Sequence, residues 1–155
     1  MKPPSPPITE ILPHRGTMLF IDTVSQYSST AATCTYQPQA DAWYANEEGN
    51  MPAWMGIEIM AQAIAAHVCM DSIARGEVPK MGALLGTRSY QSSVVAFVAG
   101  TPLSIEALLE FRDDNGLGAY ECCIEADGRK IANATLKVFE PKDFDQFIAA
   151  GKTAS

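Results

Sequence analysis

An α+β fold, with one long helix held inside a curved antiparallel sheet, is predicted by three features of the sequence. The first is MPAWMGIEIMAQAIAAHVCMDSIA (Met51 to Ala74), rich in Ala, Met and Ile, whose only strongly polar side chains between Pro52 and Met70 are Glu58, Gln62 and His67. The second is a run of alternating, strand-like segments separated by turn signals in the second half of the chain. The third is the mismatch between the two. A helix apolar almost all round must be buried on every side, whereas a flat sheet covers only one.

Each element has a local reason. The opening MKPPSPP, residues 1–7, holds four prolines and is expected as an extended arm, since proline suits neither helix interior nor central strand. It also lacks the apolar core of a secretory signal. Met18 to Tyr36 starts as the apolar run MLFI and continues in Ser/Thr-rich alternation, which reads as one long strand with room for a bulge. The helix follows, with Pro52 at its first position and Gly76 closing it. Lys80 to Tyr90, Leu103 to Phe111, Gly118 to Glu125 and Ile131 to Phe139 read as strands, and DDNG (Asp113 to Gly116) and DGR (Asp127 to Arg129) as hairpin turns. The last three strands should form an antiparallel meander. Residues 141–155 are expected as a tail or short helix, and residues 1–155 as a single domain. The sheet must then curl around the helix, which is the hotdog arrangement, with subunits usually paired edge to edge. An α+β sandwich with the helix capped by loops is the alternative.

Charge and composition exclude several functions. A net charge of −7 and a sequence pI near 4.7 oppose binding to nucleic acid or to an anionic membrane surface. A membrane-spanning reading of the helix fails on its mid-span Glu58, Gln62 and His67 and on the lack of a basic flank. Cys34, Cys69, Cys122 and Cys123 show no metal-ligand spacing and read as free thiols in a reducing cytoplasm. No GxSxG, GxGxxG or P-loop is present, and neither a metal nor a cofactor is expected.

The residues suited to chemistry are few. Glu58 lies among Trp54, Met55, Ile57 and Ile59, where lost hydration favours the neutral acid that can protonate a leaving hydroxyl or orient a water. The plainer reading is a buried carboxylate satisfied by a backbone donor or by Arg88. Gln62, four residues on, shares its helix face and is placed either to fix the carboxylate or to satisfy a backbone group. His67, nine residues on, is half a turn out of phase with Glu58 and reads as structural. That leaves His14 as the one imidazole for general-base work; taken alone it is equally a turn histidine before a strand.

Two stretches together resemble the 3-hydroxyacyl-acyl-carrier-protein dehydratases of bacterial fatty acid synthesis, a hotdog family. Its first signature, roughly LPHRYPFLLVDRV, is matched by LPHRGTMLFIDTV from Leu12 to Val24, and its helix, roughly PGVLIIEAMAQ, by PAWMGIEIMAQ from Pro52 to Gln62. The resemblance runs from about Ile11 to Leu103. It departs at one place: the family's catalytic histidine, in a GHFPG segment fourteen residues before the helix glutamate, falls here on Tyr44. PAWMGIE followed by LLGTR is more similar to a divergent branch, the dehydratases associated with aryl polyene pigment clusters, in which the resemblance implies that the histidine of the PHR motif takes over.

The resemblance implies dehydration of a 3-hydroxyacyl thioester on acyl carrier protein, with His14 as base and Glu58 as acid. The thioester carbonyl would meet the amides of Ala53 and Trp54, where the helix dipole adds positive character. Ala53 stands where the larger family has glycine. Gln62 would support the carboxylate, and Arg15 and Arg88 are candidates for the pantetheine phosphate or for pairing with an acidic residue. Acyl carrier protein is acidic, so docking calls for a local basic patch. A dimer is expected, with itself or with a second hotdog dehydratase that keeps GHFPG, and His14 and Glu58 are open to coming from different chains. A hotdog thioesterase and a non-catalytic subunit completing a partner's site are the rival readings.

Overall fold

In the computed structural model, which describes residues 6–78 and 83–140, an antiparallel sheet wraps one long helix, the hotdog arrangement. The chain runs through a short helix α1 (Ile8–Ile11), strands β1 (Thr23–Tyr27), β2 (Ala31–Tyr36) and β3 (Met51–Pro52), and the central helix α2 (Gly56–Ala74). Strands β4 (Ala83–Ser92), β5 (Ala96–Phe97), β6 (Leu103–Arg112), β7 (Leu117–Ala126) and β8 (Arg129–Phe139) follow. Six strands pair in the order β1-β2-β6-β7-β8-β4, and β3 pairs with β5 in a separate small sheet.

Period-two burial decides which face meets the helix. Ala32, Cys34 and Tyr36 on β2, Leu103, Ile105 and Ala107 on β6, Tyr120, Cys122 and Ile124 on β7, and Ala132, Ala134 and Leu136 on β8 all point inward. They pack against Ile59, Met60, Ala63, Ile64 and Ala66 of α2, each such aliphatic burial contributing about 1.5–3 kcal/mol for the larger side chains. The β7–β8 turn places Asp127 and Gly128 at φ 52° and 76°, the two positive values a type I′ hairpin requires.

Two expectations need correction. The long strand from Met18 to Tyr36 is instead a 3-10 turn (Gly16–Met18) followed by the β1–β2 hairpin. Its reversal is made by the Ser28 hydroxyl, which accepts from the amides of Thr30 and Ala31, and the foreseen bulge lies between Val24 and Gln26. Pro52, expected to open the helix, closes β3 with an extended ψ of 141° and pairs with Ala96. A 3-10 turn over Ala53–Met55 leads into α2, while Gly76, at φ 71°, ends it as expected. The strand expected from Lys80 is described from Ala83 onward; its first residues, most of the proline arm and residues 141–155 lie outside the described residues.

The start of α2 is pinned from β4. The register of β4 against β8 shifts between Arg88 and Gln91, and Ser89 there takes φ 58°, a left-handed conformation unusual for serine. Beside it, the Tyr90 hydroxyl donates to the carbonyl of Ala53 at 2.5 Å. Gly56 leaves the room for this: a Cβ there would sit 2.2 Å from the Tyr90 hydroxyl oxygen and 3.2 Å from the Phe97 ring.

Near the other end of α2, His67 is fully buried, with Nδ1 2.8 Å from the Tyr120 hydroxyl and Nε2 3.1 Å from the Ser28 carbonyl. A carbonyl only accepts, so Nε2 carries the hydrogen and Tyr120 donates to Nδ1. Arg112 in turn donates to the Tyr120 oxygen at 2.9 Å and lies 3.8 Å from Asp71, which also accepts from Tyr27 and pairs with Arg75. His67 is the structural histidine the spacing indicated. Burial lowers its pKa from 6.5, with the Ser28 carbonyl and Asp71 opposing that shift.

Two outcomes are expected. Gly56→Ala should destabilise the fold by about 1–3 kcal/mol through overpacking, and adding Tyr90→Phe should recover part of that loss; equal melting temperatures for the single and double variants would contradict the contact. Below pH 6.5 the unfolded chain takes up a proton on His67 before the folded one does, so stability should fall as pH drops through that window. His67→Gln should flatten this part of a melting-temperature profile; an unchanged slope would refute it.

Candidate active site

A cavity of about 620 Å³ lies between the N-terminal segment, one face of α2 and the β4–β8 edge of the sheet. His14, Glu58 and Gln62 all line it, so the two candidate catalytic groups border the same space within a single chain.

His14 is held there by its own neighbourhood. α1 and the residues after it turn back on themselves because the Arg15 guanidinium donates to the carbonyls of Thr9 (2.7 Å), Leu12 and His14 (2.8 Å). Ile11 and Leu12, both buried, anchor the turn in the core. Arg15 lines the cavity, and three of its five N–H groups bond this backbone, so it staples the turn. The Nδ1 atom of His14 is buried and has no hydrogen-bond partner among the described residues. A buried, unpaired ring nitrogen costs free energy unless something else uses it.

Glu58 sits in the first turn of α2 and is half-buried rather than fully enclosed. Gln62 Nε2 donates to its Oε1 at 3.1 Å. The same amide donates to the Met18 carbonyl at 2.8 Å and accepts from the Phe20 amide at 2.7 Å. Both roles weighed for Gln62 therefore hold together: it orients the carboxylate and satisfies the backbone of the segment that carries His14.

The remaining candidates are placed elsewhere. The Ala53 amide already donates to the Val95 carbonyl at 3.0 Å, so it is not free to polarise a thioester. Trp54 is 64% exposed on the 3-10 turn and lies outside the cavity lining. Arg88 is exposed on β4, opposite Thr135; Leu84, four residues earlier on that strand, lines the cavity and Arg88 does not. Glu58 is bonded to Gln62 and not to Arg88. Tyr44 is buried among Phe20, Tyr36 and Trp43, its hydroxyl 2.8 Å from that of Tyr36 and accepting from the Gln39 amide. A histidine's place is thus filled by a packing residue away from the cavity.

The four cysteines are unpaired, and burial raises their thiols, Cys34 to about 12 and Cys69 to about 11, far from the thiolate a nucleophile needs. Sequence reasoning missed Glu10, Leu84, Phe139 and Glu140 as lining residues, which only the tertiary fold brings together. Ala61, Ala65 and Cys69 also line the cavity, and their spacing from Glu58 along the helix was the signal that locates them.

With the geometry in place, comparisons define the lineage. The dehydratase heterocomplex ApeI:P from Xenorhabdus doucetiae superposes with a TM-score of 0.85 at 27% identity, covering 94% of this chain and 98% of that one. The fold alone is shared with Cj0977, a sigma28-regulated virulence protein of Campylobacter jejuni (TM-score 0.67, 14% identity, 87% of each chain). It is likewise shared with a hypothetical thioesterase from Streptococcus pneumoniae bound to coenzyme A (TM-score 0.61, 15% identity, 77% of this chain and 90% of that one). No curated protein matches the sequence. The ApeP-like family (ApeP dehydratase) matches residues 6–149, and the chain belongs to that dehydratase family.

Proposed function

We propose that this chain dehydrates a 3-hydroxyacyl thioester carried on acyl carrier protein, in aryl polyene or fatty acid type synthesis in the cytoplasm. The observation that carries the reading is the shared cavity: His14, whose buried Nδ1 has no partner among the described residues, and Glu58, oriented by Gln62, line one space. His14 takes the proton from the carbon next to the thioester carbonyl, and the electron pair forms the new double bond. The C–O bond to the 3-hydroxyl breaks, Glu58 protonates the departing oxygen, and water leaves. Proton return from His14 to Glu58 resets the pair. The family membership favours this over the thioesterase alternative, whose structural relatives share only the fold.

The natural state of the chain, in this reading, is a heterodimer with a second hotdog dehydratase, as the name of the ApeI:P heterocomplex describes for that protein. Trp54, Val95 and Val98 support it: they are 64%, 93% and 57% exposed around the β3–β5 corner, and large apolar side chains left in water mark a covered surface. Val95→Lys is expected to weaken association measured by light scattering while leaving the melting temperature of the isolated chain within a few degrees; undiminished association would place the interface elsewhere.

The activity is tested with a 3-hydroxyacyl thioester on acyl carrier protein, loss of water being followed by mass spectrometry. His14→Ala and Glu58→Gln should each lower turnover about 10²–10⁴-fold. Gln62→Leu should lower it less while costing about 1–3 kcal/mol of stability for each stranded backbone group. Full activity of His14→Ala would remove the base from the mechanism, and release of free acid instead of an enoyl thioester would establish the thioesterase.

A further inference from the structure

The cavity that holds His14 and Glu58 continues along α2 beyond them. Ala61, Ala65, Val68 and Cys69 line it at three, seven, ten and eleven residues past Glu58, the spacing of one helix face over three turns. At about 1.5 Å of rise per residue, Ala65 lies about 10 Å and Cys69 about 16 Å beyond the carboxylate along the helix axis. Leu84 and Val138, paired across β4 and β8, supply apolar lining from the sheet.

Side-chain size changes along this face. Ala61 and Ala65 are single methyl groups and only half-buried: each packs on the core on one side and faces the cavity on the other, with the buried Ile64 lining the flank beside them. Val68 and Cys69 are larger and almost fully buried, at 7% and 4% exposure. An aliphatic chain whose reactive end lies at Glu58 passes two methyl-lined positions before it meets that bulkier stretch. With C–C bonds near 1.5 Å in a zigzag, an extended chain advances about 1.3 Å per carbon, so about eight carbons reach Ala65 and about twelve reach Cys69.

We propose that Ala65, with Ala61 before it, sets the length of acyl chain this site accepts, and that the substrates are thioesters with about eight to twelve carbons beyond the carbon that bears the 3-hydroxyl. The inference rests on the reading of the cavity as an acyl thioester site. Within that reading, the methyl at position 65 is a permissive choice: a longer side chain there projects into the path and shortens it, and one at position 61 shortens it more.

Binding measures this without requiring turnover. Saturated S-acyl-pantetheine thioesters of rising length are titrated calorimetrically into the full chain, alone and with its partner subunit, for wild type, Ala65→Leu, Ala65→Phe and Ala61→Leu. Wild-type affinity should climb about fourfold per methylene and stop climbing near twelve carbons beyond C3, the origin for every length that follows. Ala65→Leu should stop near eight, and the ratio of affinities for twelve-carbon over six-carbon chains should fall at least about tenfold; Ala61→Leu should stop earlier still. Should Ala65→Phe fail to melt cooperatively, the two leucine variants carry the comparison. Length-independent binding by wild type, or a length limit that stays put in both well-folded leucine variants, overturns the proposal. Dehydration of 3-hydroxyacyl thioesters by wild type is scored separately: length-limited binding without it sinks the activity and leaves the ruler, whereas dehydration with a limit indifferent to residues 61 and 65 sinks the ruler alone.

Discussion

One buried amide holds the site together. Gln62 is 1% exposed, yet both ends of its side chain are engaged: it accepts from Phe20, and it donates to Met18 and to Glu58. A glutamine inside an apolar helix is costly unless its polar atoms find partners. Here the partners come from two places, the segment after His14 and the carboxylate one turn earlier. Satisfying the amide therefore fixes the distance between the N-terminal segment and the central helix, and with it the cavity between them. A carboxylate in place of Gln62 would retain the acceptor and lose both donors, so charge repulsion with Glu58 would replace orientation.

The sheet imposes a division of labour on the helix. The neighbourhoods of Glu58 and His67 lie nine residues apart along it and on opposite faces, as the half-turn phase between the two requires. At the far end every polar atom of the imidazole is paired, through Ser28, Tyr120 and Arg112, which makes it a packing element with a fixed tautomer. At the near end His14 keeps a ring nitrogen without a hydrogen-bond partner among the described residues. Two imidazoles with identical intrinsic chemistry thus differ in whether their ring nitrogens are already bonded.

Much of this was legible in the residues. The apolar helix and the β6–β7–β8 meander followed from periodicity, and the need for a curled sheet followed from the helix having no polar face. Glu58 and Gln62 were legible as a pair because i and i+4 lie on one helix face. The β1–β2 reversal escaped notice because its turn, Ser28 to Thr30, contains no glycine, proline or asparagine, and depends on a serine hydroxyl capping two amides. The surroundings of Arg15, Ala53 and Arg88 were not legible for a common reason: they are decided by backbone carbonyls and strand register, which carry no side-chain pattern. Ala53 looked available because an amide at a helix start is usually free, and it is taken by Val95 only because β5 folds back beside it.

The Arg15 staple closes contacts one, three and six residues apart, whereas Gln62 reaches 42 and 44 residues along the chain. Local loops close on the scale of tens of nanoseconds, but distant contacts wait for the topology that brings them together. The Arg15 contacts of the turn bearing His14 are thus local, whereas its place beside the helix depends on the tertiary fold. Site and global architecture are then completed in the same event, so a half-folded chain has the turn but no chamber.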